Sequence, residues 1–134
     1  MNDSVIPLPF HRLEGEATVR RIAARFYDYM DTTEPDLARL HGLDADGRVE
    51  AGVRDRFALF LIEWLGGPEA YSPTHGHPRL RMRHVHVRID AAMRDAWLRC
   101  MARSLDEANV HGDLRAFLDA RFAHVADFLH NTQD

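Results

Sequence analysis

Between Val49 and Leu65 the chain is apolar on most sides of a helix. Val53, Phe57, Phe60, Leu61 and Trp64 recur at helical spacing and form one face, while Ala58, Leu59, Ile62 and Leu65 carry apolar surface round the rest. A helix apolar on most sides is buried by several neighbours, so the fold has to be built around this segment. The covering elements are legible in the same way. From Glu16 to Asp31, Val19, Ile22, Ala23, Phe26, Tyr27 and Met30 form an apolar stripe at steps of three and four. From Asp90 to Leu105, Met93, Trp97 and Met101 share one face, and Asp90 is a natural N-cap. From Gly112 to His130 the stripe is Leu114, Phe117, Leu118, Phe122, Val125 and Phe128. No segment makes a convincing set of strands.

The class is therefore all-α, with four main helices and two or three short ones, among them Leu37–His41 and Leu80–His84. Gly42–Gly47 reads as a loop and Val85–Ile89 as an extended connector. Residues 1–14, with Pro7 and Pro9 opposing helix, read as an N-terminal arm, which leaves 15–134 as a single domain. A chain of 134 residues, 46% hydrophobic, is sized for one core.

Charge and composition exclude several function classes. The formal net charge is −4, so bulk electrostatics favour neither nucleic acid nor an anionic membrane as a partner. All 17 basic residues are arginine. A phosphate-binding P-loop and Schiff-base chemistry each require a lysine, so both are excluded. The single cysteine, Cys100, cannot form an internal disulfide. The opening MNDSVIPLPFHRLEGE lacks a basic start followed by an apolar run, and no apolar segment reaches the ~20 residues that a membrane span needs. A cytoplasmic protein is expected.

The unusual residues concentrate in Gly66–Met101. Gly66, Gly67 and Pro68 end the apolar helix; Tyr71, His75, His77, Arg79, Arg81, Arg83, His84 and His86 follow, and then comes the helix bearing Trp97. Taken singly these residues have ordinary readings: Trp97 and Tyr27 as core, the arginines as a solvated face. Together they offer two metal chemistries. His75-x-His77 and His84-x-His86 are pairs at period two that could hold zinc or non-haem iron, although Pro78 and the lack of a nearby acidic ligand oppose it. Alternatively, one histidine ligates haem iron while the arginines meet its propionates. That second chemistry uses the arginines, the apolar helices and the lack of carboxylates at once.

The run GGPEAY…HGHPRLRMRH…RDAWLRCM, with ARFYDYMD before it and SLDE after, resembles the truncated haemoglobins, specifically group II, the two-over-two helical globins common in bacteria. The likeness covers roughly residues 13–130. It implies a two-over-two helical sandwich around non-covalent haem b, consistent with the lack of a C-x-x-C-H attachment motif. It also implies that His84 is the proximal iron ligand, and that Tyr27, His41 and Trp97 surround the distal ligand. Phe57, Phe60 and Leu61 are then expected to line the haem, and Tyr71, His77, Arg81 and Arg83 to meet its propionate edge. The usual distal-histidine position falls near Val53. Relatives commonly read H-x-P-F after the proximal histidine, whereas this chain reads His84-Val85-His86-Val87, which removes an aromatic ring from the proximal side.

Two functions of different class are compatible with this resemblance. One is a protein that binds oxygen, carbon monoxide and nitric oxide reversibly. The other is an enzyme, a nitric oxide dioxygenase or weak peroxidase, whose iron a separate reductase returns to the ferrous state. Donors aimed at a polarised oxygen ligand slow its release, which favours redox chemistry or storage over shuttling. A monomer or weak homodimer is expected.

Overall fold

The computed structural model describes residues 8–76, 79, 84 and 87–132. Seven helices appear among them: α1 (Pro9–Arg12), α2 (Glu16–Thr33), α3 (Pro35–Leu40), α4 (Ala51–Trp64), α5 (Ser72–His75), α6 (Ala91–Glu107) and α7 (Gly112–Leu129). The described residues contain no strand, only an isolated antiparallel bridge between Leu43 and Val49 that closes the loop before α4.

The four long helices lie where the apolar stripes predict them. Every stripe residue of α2 is buried, because α2 packs on both α4 and α6 and so has two neighbours to satisfy. Helix α6 starts at its predicted cap, the Asp90 carboxylate accepting from Met93 N at 2.9 Å, and packs on α7 as well as α2. In α7, Leu114, Leu118 and Phe122 are buried. Phe117 and Phe128, assigned to the same stripe, stay 46% and 45% exposed. A stripe that includes both 117 and 118 is wider than one interhelical contact, and α6 covers only part of it.

Helix α4 is covered less completely than its sequence implies. Ala58, Leu61 and Ile62 are buried, yet Phe57, Phe60 and Trp64 are only half-buried. Those three rings face a cavity between α4, α6 and α7.

Two segments depart from expectation. Residues 8–14, read as part of an arm, include α1, whose Phe10 and Leu13 are buried. Pro9 stands at its first turn, where proline costs no hydrogen bond, and Phe10 N donates to Leu65 O at 2.9 Å. Room for this docking comes from the end of α4. Gly66 has φ +99°, a left-handed conformation that favours glycine. A Cβ at Gly67 would lie 2.6 Å from the Phe10 ring and 2.7 Å from Ile62 O. The second departure is α5, a helical turn in the stretch expected to be broken by prolines. Glu63, on α4, accepts from Tyr71 N at 3.3 Å and Ser72 N at 2.9 Å, which satisfies donors that would otherwise be orphaned there. The short helix expected at 80–84 lies outside the described residues apart from His84, as do Val85 and His86 of the connector expected at 85–89, whose Val87, Arg88 and Ile89 are in neither helix nor strand. No helix among the described residues is long and apolar enough to cross a membrane.

Candidate functional site

The cavity has a volume of about 280 Å³. Tyr27 from α2, His41 after α3, Phe57, Phe60 and Leu61 from α4, Tyr71, His84 and Trp97 from α6 all line it, as does Val53. An apolar lobe of about 100 Å³ adjoins it and shares His41, His84, Trp97, Val125 and Leu129. Eight of the residues singled out from the sequence therefore meet in one place. His77, Arg81, Arg83 and His86 lie outside the described residues.

Sequence reasoning passed over five lining residues as site members: Arg56, Trp64, Phe122, Val125 and Leu129. Four of them had a signal, since they sit on the apolar faces of α4 and α7. Arg56 is exposed and stands one turn before Phe60 on α4, so its place at the cavity follows from helical spacing.

Rings fix one another along the inner wall. Trp97 packs edge-on against Phe26 with centroids 5.1 Å apart and lies 5.8 Å from Phe122. Tyr27 meets Phe26 at 4.9 Å, Phe57 at 5.5 Å and His41 at 5.7 Å, each nearly perpendicular. Phe57, Phe60 and Trp64 continue as two roughly parallel pairs along α4. At the far end, Tyr71 is buried and lies edge-on to Phe60 at 6.0 Å.

The polar groups in this wall differ in what they can offer. Burial pushes the Tyr27 phenol well above its usual pKa, while Arg54 and Arg56 pull it the other way. It is therefore a neutral hydroxyl at every physiological pH. Its oxygen has no hydrogen-bond partner among the described residues, and neither has the Trp97 indole N–H. His41 differs, because its Nδ1 donates to Leu37 O at 3.0 Å. Burial lowers its pKa, the carbonyl opposes that, and the nearby His84 lowers it further. A neutral imidazole with its proton on Nδ1 presents Nε2 as an acceptor. Tyr27 and Trp97 are thus the donors of this wall, and His41 supplies a lone pair.

The donor set tests which prosthetic group these residues could accept. No carboxylate or thiolate lines the cavity among the described residues; it holds imidazole, indole, phenol, one guanidinium and many apolar side chains. No cluster of three or more metal-ligating side chains exists among them either. Such walls fit a flat, apolar group that carries its own metal and needs one imidazole.

Comparison with known proteins gives the same direction. The bacterial-like globin family model matches residues 9–131. Group 2 truncated haemoglobin YjbI of Bacillus subtilis is 42% identical over 72 residues, a match that spans 54% of each chain, about half the length of that relative. Among solved structures, the cold-adapted truncated haemoglobin of the Antarctic marine bacterium Pseudoalteromonas haloplanktis superposes with a TM-score of 0.85 at 39% identity, over 95% of this chain and 100% of that one. The group II truncated haemoglobin of Bacillus anthracis gives 0.85 at 33% identity, over 96% and 95%.

Proposed function

The chain belongs to the bacterial-like globins, and within them to the group II truncated haemoglobins, and on that premise we propose that it holds non-covalent haem b through His84 and binds oxygen reversibly beside Tyr27 and Trp97. The family implies a haem cofactor and small gas ligands. The observation that carries the proposal is the convergence of His84, Tyr27 and Trp97 on one apolar cavity, with both donor groups lacking a hydrogen-bond partner among the described residues.

Haem, when bound, would supply the iron chemistry that binds a diatomic gas. The protein's part is selection and retention. Phe57, Phe60, Leu61 and Phe122 exclude water and give the macrocycle apolar faces. The Trp97 indole and the Tyr27 hydroxyl donate to a ligand that takes on negative character, which favours oxygen over carbon monoxide. His41, held to Leu37, closes the wall next to Tyr27 and adds no donor. Arg56, the guanidinium among the described lining residues, is assigned with Tyr71 to the anionic edge. His77, Arg81 and Arg83 are proposed for the same edge.

Acid–organic extraction of the purified protein tests the cofactor. Colour should leave the polypeptide with an iron content near one per chain and a haem b pyridine spectrum. Colour that stays with the chain, or zinc in place of iron, rules the proposal out.

A further inference from the structure

Arg54 does not line the cavity, yet its guanidinium is tethered close to Tyr27, which does. It projects from α4 toward α2, and each guanidinium nitrogen has a separate partner. Nε donates to Val49 O at 3.0 Å, Nη1 to Asp28 at 3.0 Å and Nη2 to Asp31. Asp31 is held in turn, its other oxygen accepting from Val49 N at 3.0 Å. The Asp31 side chain is 7% exposed and that of Arg54 20%, so these contacts are largely shielded from water.

The guanidinium carbon stands 5.6 Å from the centroid of the Tyr27 ring, within cation–π range. Asp31 lies four residues after Tyr27, on the same face of α2. The chain thus puts the tyrosine and the anchor of its neighbouring arginine on one helical stripe. The Tyr27 hydroxyl has no hydrogen bond to the described residues, so among them it is contacts to the ring that set its tilt. Phe26, Phe57 and His41 meet it edge-on, and Arg54 is the charged contact on it whose own position is fixed from three directions. Lysine could not substitute, since one ammonium cannot serve a carbonyl and two carboxylates in a planar fork.

We propose that Arg54 is a positioning residue for Tyr27: clamped by Asp28, Asp31 and Val49, it holds the tyrosine ring in the orientation that keeps its hydroxyl directed into the cavity. This rests on the reading of Tyr27 as a ligand donor. Arg54 touches no ligand itself and acts through the ring.

The test uses the haem-loaded protein and Arg54→Met, Arg54→Lys and Asp31→Asn, each with and without Tyr27→Phe, after thermal melts have shown which variants fold. Oxygen dissociation should quicken roughly three- to tenfold in Arg54→Met. Arg54→Lys and Asp31→Asn should shift it in the same direction. In the Tyr27→Phe background all three should leave the rate where Tyr27→Phe alone puts it. A second readout is independent of ligand kinetics. In carbon-13 tyrosine-labelled protein, the ring signals that Tyr27→Phe removes should shift and broaden in Arg54→Met and Arg54→Lys, while those of Tyr71 stay. An equal acceleration with and without Tyr27, wild-type behaviour of Arg54→Lys, or unchanged Tyr27 ring signals overturns the proposal. If Tyr27→Phe by itself leaves oxygen release unchanged, the donor role of Tyr27 fails instead, and the ring signals alone decide whether Arg54 holds the side chain. Should Arg54→Met fail to fold, Arg54→Lys and Asp31→Asn carry the comparison.

Discussion

Replacing Trp97 with phenylalanine keeps most of the ring and removes one N–H. The indole packs edge-on to Phe26 at 5.1 Å and against Phe122 at 5.8 Å, on a helix anchored by the Asp90 cap. Its orientation is therefore set before any ligand arrives, and little side-chain entropy is lost when it donates. The N–H has no protein acceptor among the described residues, so the substitution orphans nothing and its effect falls on the ligand. A hydrogen bond to a group with charge character is worth roughly 1.5–3 kcal/mol, and each 1.4 kcal/mol is a factor of ten. Oxygen release should accordingly quicken by roughly ten- to a hundredfold, with a much smaller change for carbon monoxide. Stopped-flow displacement of oxygen by carbon monoxide measures the first rate, and flash photolysis supplies the control. Tyr27→Phe should do less, and the double variant should fall short of additivity if both donors share one oxygen atom. An unchanged oxygen off-rate in Trp97→Phe, with carbon monoxide kinetics also unchanged, would reduce the indole to core packing and refute the reasoning.

Two further outcomes concern the scaffold. Gly67→Ala forces a Cβ against Phe10 and Ile62 O, so the thermal midpoint should fall by several degrees as α1 is pushed off α4; an unchanged midpoint would mean that α1 contributes nothing to the fold. Arg99 forms two hydrogen bonds to Glu34, which tie α6 to the turn between α2 and α3 and hold the carboxylate below its ordinary 4.5. A depressed carboxylate stabilises the fold above its unfolded pKa, and that contribution disappears as acid takes the pH down through the folded value. Glu34→Gln should thus be less stable at pH 7 and should lose less stability than the parent between pH 5 and 3; parallel acid profiles in thermal melts would show that the pair adds nothing.

What could be read from sequence followed from periodicity. The stripe of α2 is buried in full because that helix has partners on two sides, so each step of three or four met a neighbour. The stripe of α7 over-reached at Phe117 and Phe128, since periodicity marks an apolar arc without saying how much of it a neighbour covers. Helix α4 reads as apolar on most sides and covered by several neighbours, and its half-buried Phe57, Phe60 and Trp64 mark the place where the missing neighbour is a cavity. The site residues Tyr27, His41, His84 and Trp97 were reached through family resemblance, as they lie on four separate segments that no local pattern links. Two things had no local signal. One is the short helix α1, which docks in the space that Gly66 and Gly67 leave far along the chain. The other is the proton on His41, whose position depends on a carbonyl four residues earlier.

The central claim is that His84 is the group on this chain that binds the iron, and the ferrous spectrum of two variants tests it. His84→Gly should lose the five-coordinate imidazole spectrum and regain it when free imidazole is added, while His86→Gly should keep the parent spectrum throughout. If His86→Gly is the variant that loses the ligand and is rescued, the register is wrong by two residues; if neither loses it, the assignment of the site fails.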